Sequence, residues 1–173
     1  TPEGLNRVFF VSGGSEAVES AIKLARQYAL ASDQGSRWKV ISRAPSYHGC
    51  TLGALAVTGY TPLTAPFAPM MQGMPKVAAP ATYLDRDNLS EEERGLKYAE
   101  LLREQILKEG PENVLAFLME PVGGASTGAL VAPDSYYGRV REICDEFGVL
   151  LIYDEVMTGA GRTGKFLAAE HWG

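Results

Sequence analysis

Apolar residues along this chain fall into two patterns. The first is a set of short unbroken runs: RVFFVS (7–12), WKVISR (38–43), VLAFLMEPV (114–122) and VLLIYDEV (149–156). Each is rich in β-branched or aromatic residues and predicts a buried strand. KVAAPATY (76–83) is a weaker strand, because Pro80 removes a ladder donor. The second pattern is helical. From Ser15, with Ser15 as N-cap and Glu16 and Glu19 near the start, Val18, Ala21, Ile22, Ala25, Tyr28 and Ala29 recur at helical spacing. A second helix starts at a Ser90 cap and lines up Leu96, Ala99, Leu102 and Ile106, with Gly95 tolerated at a cost of about 1 kcal/mol. DSYYGRVREICDEF (134–147) is a third helix, stopped by Gly148.

Residues 50–58 suit a short helix, and the Pro- and Met-rich stretch 61–75 reads as a long loop. Continuous rather than alternating apolar strands have both faces covered. With helices between them, they predict an α/β fold of three layers, α/β/α, around a mostly parallel sheet.

Composition narrows this picture. At 46% hydrophobic and 21% charged, 173 residues suffice for one domain with a real core. A formal charge of -5 argues against a nucleic-acid partner. No apolar run approaches the roughly 18 residues of a membrane span, and no charged-then-apolar leader supports secretion. Cys50 and Cys144, far apart, suit reduced thiols in a cytoplasmic protein. Opening without Met at TPEGLNRVFF and stopping at AAEHWG, the sequence reads as the interior of a longer protein.

Ligands of open α/β sheets bind beyond the carboxyl ends of the strands. Four predicted strand ends carry chemistry: GGSEA, SYHG, EPVGGA and DEVMTG. Glycines and a serine at a helix start make a phosphate site, or simply a capped tight turn. Tyr47 and His48 offer a ring to stack on a planar ligand, or plain surface packing. Asp154 and Glu155 end an apolar run, where a carboxylate needs a helix to cap, an arginine to pair with, or a cationic ring nitrogen to hold. GAGRTG (159–164) has the spacing of a dinucleotide fingerprint but the wrong context: two carboxylates precede it, and no acid-ending strand follows.

Taken together, these motifs resemble the class III aminotransferases, the ω-aminotransferase group of fold-type I pyridoxal phosphate enzymes. The resemblance rests on VSGGSEAVESAIKLAR, SYHG, MEPVGGASTG and LLIYDEVMTGAGRTGKF, and runs from about residue 5 to the end. It implies that residues 1–173 are part of the cofactor-binding large domain, without an N-terminal segment or a C-terminal small domain. Pyridoxal 5'-phosphate is the implied cofactor and no metal is implied. Gly14 and Ser15 would bind its phosphate, Tyr47 would stack on its ring with His48 beside it, and Asp154 would pair with the ring nitrogen. Val156, two residues on and on the same side of the strand, would pack under the ring. Glu120 would lie near Asp154, and Arg162 would be structural.

The implied partners are a small-molecule amino donor, an ω-amino acid or amine, and a 2-oxo acid acceptor, in a homodimer. One feature of the family has no counterpart here. Its Schiff-base Lys follows the Asp by roughly thirty residues, and the sequence ends first, so no catalytic residue is assigned and these residues alone are expected to be inactive. Two alternatives share the motifs: an aminomutase of the glutamate-semialdehyde type, and a non-catalytic domain that keeps only the cofactor rim.

Overall fold

The structure, a computed structural model, describes residues 4–173. Helix α1 (Gly14–Ala31) leads to strand β1 (Lys39–Ala44), then the short helices α2 (Leu52–Val57) and α3 (Thr61–Thr64), strand β2 (Lys76–Ala78), helix α4 (Glu91–Glu109), strand β3 (Val114–Met119), helix α5 (Asp134–Phe147) and strand β4 (Leu150–Tyr153). The sheet order is β2-β1-β3-β4, with every pairing parallel. In register, Ile41 faces Phe117 and Phe117 faces Leu151.

Both faces of the sheet are covered, which is why β3 is apolar throughout. Every residue of β3 is buried. Its side chains alternate: Phe117 and Met119 join Leu102 and Ile106 of α4 and Val140 and Ile143 of α5. Ala116 and Leu118 turn the other way, to Val18, Ala25 and Ala29 of α1 and Ala54 and Val57 of α2. The expected three-layer α/β/α arrangement is therefore present. Helix α4 starts as predicted: Ser90 Oγ accepts from Glu93 N, and Glu93 accepts from Ser90 N at 2.7 Å, a reciprocal capping box.

Several expectations need correcting. Residues 7–12 form no strand among the described residues, and Phe9 and Phe10 are 77% and 89% exposed. An apolar run becomes a strand only where a neighbouring backbone satisfies its hydrogen bonds. β4, expected to be buried, is half-buried along its length, because it pairs on one side only. Residues 61–70 are helical rather than loop, as α3 followed by a 3₁₀ segment at Ala65–Met70. On α4 it is Gly95, not Leu96, that joins the buried face, and Leu96 is 40% exposed. A Cβ at Gly95 would lie 2.1 Å from Ser135 Oγ and 3.0 Å from Pro133 Cβ, so the glycine lets α4 meet the start of α5 closely.

A second close approach supports the rim. After α2, Gly59 N donates to Ser46 O and to Ser46 Oγ, both at 3.1 Å. A Cβ there would sit 2.0 Å from Arg43 O and 2.8 Å from Ala44 Cα, backbone atoms with no freedom to move aside. Gly59→Ala is expected to destabilise the protein by about 1–3 kcal/mol through overpacking, measured by urea unfolding. An unchanged midpoint would mean that this crossing yields.

Candidate functional site

The carboxyl ends of β1, β3 and β4 and the start of α1 meet around one cavity of about 330 Å³. Its wall contains all seven residues singled out in the sequence: Gly14, Ser15, Tyr47, His48, Glu120, Asp154 and Val156. Gly49, Val122, Gly124, Ala125 and Met157 complete the lining.

At one end is the first turn of α1. Its N-cap is Gly13, not Ser15, and Ala17 N makes the first intrahelical bond, to Gly13 O at 3.0 Å. The amides of Gly14, Ser15 and Glu16 therefore have no acceptor within the helix, and the positive end of the helix dipole lies there. Relieved of capping, the Ser15 hydroxyl accepts from Cys50 N at 3.0 Å and ties the helix start to the loop after β1. That contact needs Gly49, where φ is +137° and a Cβ would fall 2.6 Å from Ser15 Oγ. Glu19, one turn further on, accepts from Thr51 Oγ1 and from the Gly53 and Ala54 amides, so it caps α2 and fastens the same loop.

Asp154, one residue past β4, lines the same cavity. Its amide still donates to Met119 O at 2.9 Å, which extends the parallel pairing far enough to fix its backbone. The side chain is only 6% exposed. Oδ1 accepts from Val156 N at 3.1 Å, and Oδ2 lies 2.8 Å from His48 Nδ1, which donates to it. Among the described residues neither Lys nor Arg pairs with this carboxylate.

His48 lines the cavity where it meets Asp154, with its side chain fully buried. Thr58 Oγ1 accepts from its amide at 2.9 Å. The strand ends at Tyr153, so strand alternation no longer governs the side chain; Val156 is 62% exposed and leans on Gly14, where a Cβ would meet its Cγ2 at 3.1 Å.

Glu155, Asp154's neighbour, does unrelated work. It accepts from Ala168 N at 3.0 Å, from Ala169 N at 2.9 Å and from the Thr158 hydroxyl, and so caps the 3₁₀ turn Ala168–His171. Glu120 accepts at Oε1 from Tyr47 N and Gly124 N, both at 3.4 Å. Tyr47 is 41% exposed and gives the cavity an aromatic wall. Arg162 is exposed, and nothing in the structure explains its side chain. Missed in the sequence were Gly49's steric role and buried Arg43, whose guanidinium lies 3.7 Å from Glu120. The SYHG motif held the first signal; an Arg inside an apolar strand was the second. Among the described residues no three His, Cys, Asp or Glu side chains group to hold a metal ion, and no helix is long and apolar enough to cross a membrane.

The aminotransferase class-III family model matches residues 1–173. The chain is 45% identical over 172 residues to a probable aminotransferase of Mycobacterium tuberculosis, covering 99% of this chain and 37% of that protein. It is 37% identical to the putrescine–pyruvate aminotransferase of Pseudomonas aeruginosa, covering 99% and 38%. Among solved structures, the ω-transaminase of Pseudomonas jessenii in complex with PMP superposes with a TM-score of 0.93 at 33% identity, over 99% of this chain and 38% of that one. An amine transaminase from an uncultivated Pseudomonas species in its PLP-bound form gives 0.88 at 37% identity, over 94% and 36%. This chain belongs to the class III aminotransferase family. It spans a little over a third of the length of the curated relatives it matches.

The two cysteines make the packing around this site testable. Burial pushes the Cys144 thiol up to about 12, so it stays protonated through neutral pH, whereas Cys50 is exposed beside Ser15. Only the thiolate attacks a disulfide reagent. At pH 8 Cys50 is expected to be labelled first, and Cys144 only on unfolding, as read by peptide mass. Equal labelling of both in the native protein would contradict the burial of Cys144.

Proposed function

We propose that this class III chain forms part of the large domain, and one wall of the cofactor site, of a pyridoxal phosphate-dependent aminotransferase, which moves an amino group from an ω-amino acid or amine to a 2-oxo acid. The observation that carries the reading is the cavity's polarity. Free amides and a hydroxyl at the start of α1 suit an anion, while a nearly buried carboxylate, with no Lys or Arg partner among the described residues, lines the same cavity. Pyridoxal phosphate has a phosphoryl group for the first and a protonatable ring nitrogen for the second, so the residues present fit it.

When bound, the cofactor supplies an electron sink for the pair left on the substrate carbon as a bond to it breaks. The chain's own residues prepare that chemistry. Gly14 and Ser15 would hold the phosphoryl oxygens through backbone amides and the Ser15 hydroxyl. Asp154 would hold a proton on the ring nitrogen, because a nearby carboxylate favours the charged form of that group. His48 keeps the Asp154 carboxylate aimed, by donating from Nδ1 at 2.8 Å. Tyr47 and Val156 would confine the ring from their sides of the cavity, and Glu120 would fix the loop that carries Tyr47.

No lysine lines the cavity among the described residues, so turnover by residues 1–173 alone is not expected. We place the complete protein as a homodimer in the cytoplasm, the latter consistent with two free thiols.

In the complete protein, Asp154→Asn is expected to retain weakened cofactor binding, seen as a visible absorption band, while turnover falls about a hundredfold or more. Near-normal turnover with the band intact would refute the role given to Asp154. Ser15→Ala is expected to raise the cofactor dissociation constant about tenfold with less effect on turnover at saturation.

A further inference from the structure

The cavity has an unresolved electrical problem. Two carboxylates, Glu120 and Asp154, stand in its wall, no Lys or Arg side chain lines it among the described residues, and the ligand proposed above brings further negative charge. A ring nitrogen would answer Asp154. Glu120 needs a cation from elsewhere.

Arg43 is that cation. It lies on β1 with its side chain 2% exposed, on the face of the sheet turned toward α5. Its Nη2 donates to the Glu120 main-chain oxygen and sits 3.7 Å from Glu120 Oε2. Its charge also reaches the buried Tyr136 hydroxyl, partly opposing the upward push of burial on that phenol. Nε makes no hydrogen bond among the described residues. Burying a guanidinium is costly unless its charge is used, and packing alone would be served as well by an apolar side chain. On the other side, the Glu120 carboxylate has turned Oε1 to the amides of Tyr47 and Gly124, one in each of two loops that wall the cavity.

We propose that Arg43 is a positioning residue for the cofactor cavity. From behind the rim it balances Glu120 and anchors its main chain, and Glu120 in turn holds the Tyr47 and Gly124 backbones in place. The proposal rests on the pyridoxal phosphate reading for the identity of the ligand; the chain of contacts from Arg43 to the two loops does not. Without the guanidinium, Glu120 becomes an uncompensated buried charge that swings toward water and releases both amides.

The test uses the complete protein, freed of cofactor and titrated with pyridoxal phosphate, with Arg43→Met, the double variant Arg43→Met/Glu120→Gln, and Arg43→Lys. Arg43→Met is expected to raise the dissociation constant about tenfold or more. The double variant should recover most of that loss, since a glutamine oxygen still accepts from both amides and carries no charge to balance. Amide exchange of the cofactor-free protein should quicken in peptides holding Tyr47 and Gly124 and stay unchanged in α4.

A dissociation constant for Arg43→Met equal to wild type, a double variant no better than the single one, or exchange quickened across the whole sheet would each overturn the proposal. If Arg43→Met does not fold, Arg43→Lys carries the same readings: its point charge cannot serve both the carbonyl and the carboxylate, so wild-type affinity and exchange there would also overturn it. A wild-type protein that takes up no pyridoxal phosphate defeats the functional reading instead, and the exchange measurement then still decides the role of Arg43.

Discussion

A carboxylate nearly out of water, with no Lys or Arg partner among the described residues, is the constraint around which this rim is arranged. Asp154 is carried there by β4 and fixed by one more parallel hydrogen bond to Met119 O. Its two oxygens are met by an amide and an imidazole, which orient it. Isolated charge in a protein interior is expensive. A fold that keeps such a group in place needs stability from elsewhere, and the doubly covered sheet is the source. β3 is buried from end to end, and both helical layers press on it.

The opposite end of the cavity is built from local geometry rather than charge. Helix α1 leaves its first amides without a partner in the helix because every α-helix does. What is particular here is that no side chain of its own covers them. Ser15 is drawn off toward Cys50 N, and Glu16 accepts from Ser12 N at 2.7 Å. Gly14 and Gly49 keep Cβ atoms out of two close contacts, against Val156 and Ser15. Small residues and helix polarity line the cavity at α1, and a strand-end carboxylate lines it at β4.

Much of this was legible in the sequence because it follows from periodicity and from strand ends. Buried strands announced β1, β3 and the position of Asp154, and the Ser90–Glu93 spacing announced the start of α4. The failures have physical reasons. Residues 7–12 have the composition of a strand, but composition does not say what supplies the partner backbone. Leu96 fits the helical stripe as well as Gly95 does, and only the proximity of Ser135 and Pro133 selects the glycine. Asp154 and Glu155 are chemically alike and adjacent, yet one faces the cavity and the other caps a turn; long-range amides from Ala168 and Ala169 decide it. The seven candidate residues came together because parallel topology brings strand ends to one rim, whereas Arg43 was hidden by looking like an interruption in an apolar strand.

Charge balance then links the two halves of the sheet. Asp154 and Glu120 sit at the ends of neighbouring strands, β4 and β3, and both point acid into a space that already suits an anion at α1. Two unanswered carboxylates in one small cavity would repel each other and any phosphoryl group entering it. Placing Arg43 on β1, next to β3 but turned to the far layer, removes one of these charges without putting a cation where it would compete for the ligand. Asp154 is left as the cavity carboxylate without a Lys or Arg partner among the described residues, and under the reading proposed above a molecule with an anionic end and a basic ring would suit that asymmetry.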